Sequence, residues 1–169
     1  MKLQARTIAE MSGVIALSAV LSIVKVFSLP QGGSVTAGSM IPILWFALRK
    51  GAKVGCTAGA LYGIVQLVLE PYVYHPVQVL LDYPIAFGAL GLAGFFKRYR
   101  VVGASVGVAG RFVAHFLSGI IFFAEYAPAG MSPIIYSAIY NGSYLAIEAI
   151  VSAVFIYLLG KTRVFEEHP

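Results

Sequence analysis

The chain has 169 residues, of which 59% are hydrophobic and 11% are charged, and its formal net charge is +5. Soluble domains are about 45–50% apolar and about 25% charged, so the composition argues against a soluble domain and predicts an integral membrane protein. A single cleavable signal peptide would not account for it, because the apolar character continues to Leu159. The one cysteine, Cys56, excludes an intrachain disulfide.

Apolar segments predict an all-α integral membrane protein with six transmembrane helices in a single domain over residues 1–169. They cover residues 7–27, 37–48, 53–69, 77–96, 101–124 and 133–160. A straight helix needs about 20 residues to cross a bilayer. The second segment is shorter and contains Pro42, so we expect it to cross only with support from the preceding loop, residues 30–34.

The basic residues predict the orientation of these helices. Ten of the twelve precede the first segment, follow the sixth, or lie between segments two and three or four and five: Lys2, Arg6, Arg49, Lys50, Lys53, Lys97, Arg98, Arg100, Lys161 and Arg163. Six crossings put all ten on one side, which the positive-inside rule makes cytoplasmic, with both the N and the C terminus inside. An odd number of crossings would divide them between both faces.

Small residues recur at four-residue spacing, which permits close packing of membrane helices. Gly55 with Gly59, and Gly103 with Gly107, predict packing inside the chain. The first segment carries a stripe formed by Ala9, Gly13 and Ala16. This stripe could pack within the chain or dock a helix of another subunit, and the sequence leaves both open.

Several charged residues fall on the predicted helices. Arg6 and Glu10 are spaced for an i,i+4 ion pair, and Lys25 is placed at the outer interface, where its amine could reach water. Arg111 and Glu148 fall at similar depths when each residue advances a helix by about 1.5 Å. We therefore expect Arg111 and Glu148 to neutralise one another as a pair.

Polar and aromatic side chains gather near the outer end of three predicted helices. Asp82, His115 and Asn141 lie there on segments four, five and six. Nearby aromatic residues are Tyr72, Tyr74, Tyr83, Phe122, Phe123, Tyr126, Tyr136 and Tyr140. A carboxylate beside aromatic faces suits a flat organic cation. Other roles remain open: interfacial tyrosines, hydrogen bonds between helices, or an Asp82 side chain that reaches Arg111.

The sequence contains no catalytic apparatus. It has no Walker A, HExxH or GxSxG motif, so the chain is predicted not to be an enzyme and not to hydrolyse ATP. A basic domain outside the membrane is also missing from the pattern, which argues against nucleic-acid binding.

Specific runs of residues give the chain a resemblance to a known family. They are Leu81-Asp82-Tyr83-Pro84-Ile85-Ala86-Phe87, His115-Phe116-Leu117-Ser118-Gly119, Tyr126-Ala127-Pro128, Tyr136 and Asn141-Gly142. Together with the six segments and the mass of 18.0 kDa, these runs resemble the thiamine-specific substrate-binding components of bacterial energy-coupling-factor transporters. The resemblance covers essentially the whole chain.

The resemblance implies a function, a site and partners. Thiamine would bind from outside, with no cofactor, and the binding residues carried over by position are Asp82, Tyr72, Tyr83, Tyr136, His115, Asn141 and Phe123. Asp82 stands where the family commonly has Glu, and Phe123 where it has a stacking Trp. The implied partners are a transmembrane coupling protein and two cytoplasmic ATPases, docked on the Ala9, Gly13 and Ala16 stripe, in the bacterial plasma membrane.

Other functions remain open from the residues alone. The chain could bind another vitamin or a precursor of thiamine. It could be an autonomous proton-coupled secondary transporter in which Arg111, Glu148 and Asp82 relay protons. It could also be a structural membrane subunit whose polar residues only join helices.

Overall fold

The structure, a computed structural model, describes residues 4–165 and is mainly helical. Its α-helices are α1 Ala5–Ile23, α2 Ile41–Lys50, α3 Ala52–Leu69, α4 Pro76–Leu80, α5 Ala86–Ala89, α6 Arg100–Phe122 and α7 Pro133–Leu159. A two-stranded antiparallel hairpin, β1 Lys25–Ser28 and β2 Ser34–Thr36, joins α1 to α2. Each of the six predicted segments contains helix.

Five helical stretches within residues 4–165 are long and apolar enough to cross a membrane: Ala5–Ile23, Ala52–Leu69, Pro76–Phe96, Arg100–Phe122 and Pro133–Leu159. The predicted helical membrane protein is thereby supported. The second helix, α2, has only 10 residues and is about 15 Å long. It is buried against its neighbours, with Ile43, Leu44 and Phe46 fully inaccessible. Six crossings and the cytoplasmic position of both ends stay predictions.

The first helix ends at Ile23, earlier than the predicted end at residue 27. The chain then becomes extended through Lys25–Ser28, and Lys25 pairs in register with Thr36. A tight turn with Gly32 at φ 88° returns the chain. β-branched residues such as Val24 and Val26 favour an extended conformation, and their apolar character alone does not distinguish strand from helix. Lys25 therefore lies on a strand, where its Nζ is 2.7 Å from Glu70 Oε2.

The fourth segment changes its helical type along its length. α4 passes into a π-helical turn at Leu81–Ile85, then into α5 and a 3-10 stretch at Leu90–Phe96. Pro84 lies inside the π turn and has no N–H to donate to the helical ladder. Such π turns widen the helix locally and recur at functional sites. This turn carries Asp82 and Tyr83.

Glycines let the fourth segment approach its neighbours closely, as the sequence predicted for the two glycine pairs. A Cβ on Gly59 or Gly63 of α3 would collide with the carbonyl oxygens of Phe87 and Tyr83, respectively. On α6, a Cβ on Gly107 would lie 2.7 Å from the Leu90 carbonyl oxygen. The close contact between Gly63 and Tyr83 holds the π turn against α3.

Replacing Gly63 with Ala is expected to lower thermal stability, because the added Cβ meets backbone atoms that cannot rotate away. Overpacking of this kind costs about 1–3 kcal/mol. Gly13→Ala is the matched control, since within residues 4–165 no atom lies within 4 Å of that added Cβ. Thermal unfolding of the purified proteins measures the difference. Equal melting temperatures for the two variants would contradict the packing described here.

The small-residue stripe of α1 faces away from the rest of the molecule. Ala9, Gly13 and Ala16 are all exposed, whereas Met11, Val14 and Ser18 on the opposite face are buried. Nothing in the described part of the chain therefore packs onto the stripe. Of the two alternatives left open by the sequence, docking of another subunit fits this exposure better.

The basic end of α1 is joined to α2 through Glu10. The predicted pair with Arg6 is confirmed at 3.3 Å. Glu10 also lies 2.8 Å from Lys50 Nζ and 3.9 Å from Arg49. These contacts orient the exposed stripe relative to the rest of the fold.

Candidate functional site

A cavity of about 320 Å³ opens at the end of the helices opposite the basic clusters. All seven residues predicted to bind a ligand line it: Tyr72, Asp82, Tyr83, His115, Phe123, Tyr136 and Asn141. They come from the loop after α3, the π turn, α6, α7 and the residue that ends α6. The structure thus brings together every member of the predicted set, although ligand binding by each of them remains a prediction.

Asp82 is held by three side chains. Gln78 Nε2 and Ser118 Oγ each donate to Asp82 Oδ2 at 2.8 Å, and His115 Nδ1 lies 2.9 Å from Asp82 Oδ1. Arg111 Nε donates to His115 Nε2 at 3.2 Å. Because Arg111 can only donate, the geometry assigns a neutral imidazole that accepts from Arg111 and donates to Asp82. The expected contact between Asp82 and Arg111 is therefore indirect, through His115.

The expected pair between Arg111 and Glu148 is wrong. Arg111 Cζ lies 4.2 Å from the centre of the Phe87 ring, and its Nε bonds His115. Glu148 Oε1 instead accepts from the backbone N–H of Thr36 at 2.5 Å and from its Oγ1 at 2.8 Å. No ion pair joins Arg111 to Glu148 within residues 4–165. Counting residues along two helices gives their relative heights but not the directions in which the side chains point.

Asn141 is fixed by its neighbours on α6 and α7. Its Nδ2 donates to the Ser137 carbonyl at 3.0 Å and to the His115 carbonyl at 3.3 Å. Its Oδ1 accepts from the Tyr144 hydroxyl at 3.1 Å. These bonds join α6 to α7 and orient the amide at the cavity wall.

Aromatic rings form two walls of the cavity. Phe123 lies 5.8 Å from Tyr72, 5.9 Å from Tyr74 and 6.1 Å from Tyr126, measured between ring centres. A hydrogen bond with Tyr126 raises the pKa of Tyr72, so the Tyr72 hydroxyl stays neutral at physiological pH. On the second wall, Tyr140 lies 5.9 Å from Tyr136 and 6.1 Å from Tyr144.

The hydroxyl of Tyr83 has a structural role. It donates to the Glu70 carbonyl oxygen at 2.7 Å and accepts from the Tyr72 N–H at 2.8 Å. The π turn is thereby joined to the loop that follows α3. Tyr83 lines the cavity with its ring, and its hydroxyl is already occupied.

The hairpin lies over the cavity and is attached at three points. The Gly33 N–H donates to the Tyr140 hydroxyl at 3.1 Å, Thr36 bonds Glu148, and Lys25 pairs with Glu70. Gly33 allows close approach, because a Cβ there would lie 2.9 Å from the Tyr144 ring. Sequence reasoning expected a supporting loop in this region but missed the hairpin.

Sequence reasoning also missed Tyr144 and the place of Glu148 in the cavity wall. Both residues line the cavity, and both are nearly inaccessible. The signal was present in α7, where Ser137, Asn141, Tyr144 and Glu148 follow at steps of four, three and four and so share one helical face. Extending that face from Asn141 would have found them.

The charges of the cavity do not balance. Its lining includes three carboxylates, Glu70, Asp82 and Glu148, against two cations, Lys25 and Arg111. With a neutral His115, one negative charge is in excess. In the described part of the chain, no three His, Cys, Asp or Glu side chains are grouped as metal ligands would be.

A helical membrane protein with an aromatic cavity of net negative charge defines a class, the membrane proteins that bind small organic cations. Comparison with known families makes the assignment specific. Residues 8–166 match the family described as thiamine transporter protein (Thia_YuaJ). The chain belongs to this family, so the predicted resemblance to thiamine transporters is confirmed. The family is one of transporters, in agreement with the prediction that the chain is not an enzyme.

Two characterised relatives and one solved structure extend the comparison. The chain is 38% identical to the thiamine transporter ThiT of Bacillus subtilis, over 90% of this chain and 89% of that protein. It is 31% identical to ThiT of Lacticaseibacillus paracasei, over 71% and 70%. The structure of ThiT from Listeria monocytogenes is 24% identical, covers 94% of this chain and 96% of its own, and superposes with a TM-score of 0.83. This last similarity supports the fold.

Proposed function

We propose that the chain binds thiamine and is the substrate-binding subunit of an energy-coupling-factor importer in the bacterial plasma membrane. In this proposal it forms one six-helix membrane domain with both ends in the cytoplasm. The observation that carries the proposal is the cavity: seven predicted ligand-binding residues line it in a member of the thiamine transporter family. Its excess negative charge matches a monovalent cation.

The contacts of Asp82 support a role in organising the binding site. Three of the sites at which its carboxylate accepts hydrogen bonds are occupied by Gln78, Ser118 and His115. A carboxylate has about four such sites, so one remains for a ligand. The side chain of Asp, shorter than that of Glu, is long enough to make all three contacts. Asp82 therefore fixes the imidazole of His115 at the cavity wall, while Phe123 supplies a ring face for the cation.

The exposed stripe of α1 supports the proposed partners. Ala9, Gly13 and Ala16 offer a surface where a helix of the coupling protein can approach closely. The sequence has no nucleotide-binding motif, so the energy for uptake comes from the two cytoplasmic ATPases.

Titration of the purified protein with thiamine tests the proposed substrate. We expect saturable binding of one thiamine per chain, because a single cavity of this size suits one small molecule. Isothermal titration in detergent measures it, with the isolated aminopyrimidine half of thiamine and riboflavin as comparison ligands. Tighter binding of either comparison ligand than of thiamine would contradict the assignment.

A further inference from the structure

Glu148 is the acidic side chain of the cavity that has no cation beside it in the described structure. Glu70 is paired with Lys25 at 2.7 Å. Asp82 is connected to Arg111 through the imidazole of His115. The excess negative charge of the cavity therefore lies on Glu148.

One oxygen of Glu148 also lacks a hydrogen-bond partner. Oε1 accepts two hydrogen bonds from Thr36, whereas Oε2 is buried and has no partner within residues 4–165. The residue is 2% exposed and lies in the interior of the 27-residue α7. A buried carboxylate normally has its charge and its oxygens matched. Because Glu148 lines the cavity, a bound molecule can supply the missing partner.

We propose that Glu148, rather than Asp82, supplies the counter-charge for the cationic ring of the ligand. The ligand class is a monovalent heteroaromatic cation, whose ring faces Oε2 while Thr36 holds Oε1. The inference rests on the proposed function, since it names the charge by which the same cavity selects its substrate. The residue carried over from the family for this role is Asp82.

The neighbours of Asp82 explain the division of roles. Its charge is offset by Arg111, which lies one imidazole away, and its oxygens already accept three hydrogen bonds. Replacing Asp82 disturbs the arrangement of His115, Gln78 and Ser118. Such a change affects any ligand that fits the cavity, whether charged or neutral. Loss of the Glu148 charge affects a cation selectively.

Two ligands of nearly the same shape separate charge recognition from fit. One is thiamine, and the other is its neutral analogue in which carbon replaces the quaternary ring nitrogen. In Glu148→Gln the amide oxygen can still accept from Thr36, so the hairpin contact is kept while the charge is lost. We expect the dissociation constant for thiamine to rise about ten- to a hundredfold, and that for the neutral analogue to change by less than about threefold. Asp82→Asn weakens binding of both ligands.

Two further variants complete the experiment. Glu148→Asp keeps the charge and is expected to restore part of the preference for the cation. Ser152→Ala changes a buried hydroxyl one turn further along α7, outside the cavity lining, and is expected to leave both dissociation constants unchanged. Isothermal titration with each ligand supplies the ratio of the two constants for every variant.

The outcomes distinguish this inference from the proposed function. If the unmodified protein fails to bind thiamine, the proposed function is wrong. If it binds thiamine and Glu148→Gln weakens both ligands equally, Glu148 acts only by fastening Thr36 and the hairpin, and the inference is overturned. An unchanged ratio in Glu148→Gln overturns it as well. A fall in the preference for the cation, recovered in Glu148→Asp, supports it.

Discussion

Asp82→Asn is expected to weaken thiamine binding on the order of a hundredfold, as two hydrogen bonds to a charged group are lost or weakened. The substitution places an amide where Oδ2 now accepts from both Gln78 and Ser118. It also leaves the charge of Arg111 uncompensated beside a cationic ligand. His115→Ala is expected to have an effect of similar size, since it removes the group that separates Arg111 from Asp82.

Isothermal titration measures both losses, and gel filtration with circular dichroism confirms that the variants are folded. Glu125→Gln is the matched control for the change from acid to amide. Glu125 lies in the turn after α6 and outside the cavity lining, so its thiamine affinity should be unchanged. Near-normal affinity in both Asp82→Asn and His115→Ala would show that the site is assigned wrongly.

A larger side chain on the α1 stripe is expected to abolish uptake while leaving thiamine binding intact. In Gly13→Leu, the leucine occupies the space through which a partner helix would approach. Gly13 does not line the cavity, and an added Cβ meets no atom of residues 4–165. We therefore expect at least about a tenfold fall in uptake by the assembled transporter, the scale of one lost close helix contact.

Proteoliposomes with labelled thiamine provide the measurement, with the coupling protein and both ATPases present. Ser105→Leu is the control, because Ser105 is an exposed small residue on α6. Full uptake in Gly13→Leu would exclude the stripe as the docking surface. A further arm contains the chain alone under a pH gradient. Strong uptake there would support a secondary transporter and contradict the dependence on partners.

Much of the helical arrangement follows from simple patterns. Apolar length located the helices, and the glycine pairs of α3 and α6 marked where backbones meet, because only glycine leaves room for a neighbouring carbonyl oxygen. The site residues could be grouped because a count of residues along a helix gives depth reliably. Asp82, His115 and Asn141 were brought together in this way.

Other features depend on information that residue counts do not contain. The partner of Glu148 is Thr36, 112 positions away, on a strand that apolar length could not separate from α1. The directions of Arg111 and Glu148 around their helices depend on how α6 and α7 are rotated against the fourth segment. The π turn depends on the competition between Pro84 and the helical ladder, which propensity alone does not resolve.

The unequal charges of the cavity have a consequence for movement across the membrane. Three carboxylates and two cations leave the empty cavity with one negative charge, and a monovalent cation cancels it. A net charge is costly to bring into hydrocarbon, while a neutral assembly avoids most of that cost. The loaded protein therefore presents an electrically neutral interior, and carrying its cargo toward the cytoplasm moves no net charge through the membrane potential. Thiamine would be transported without gaining or losing energy from that potential, with ATP hydrolysis by the partners as the driving force.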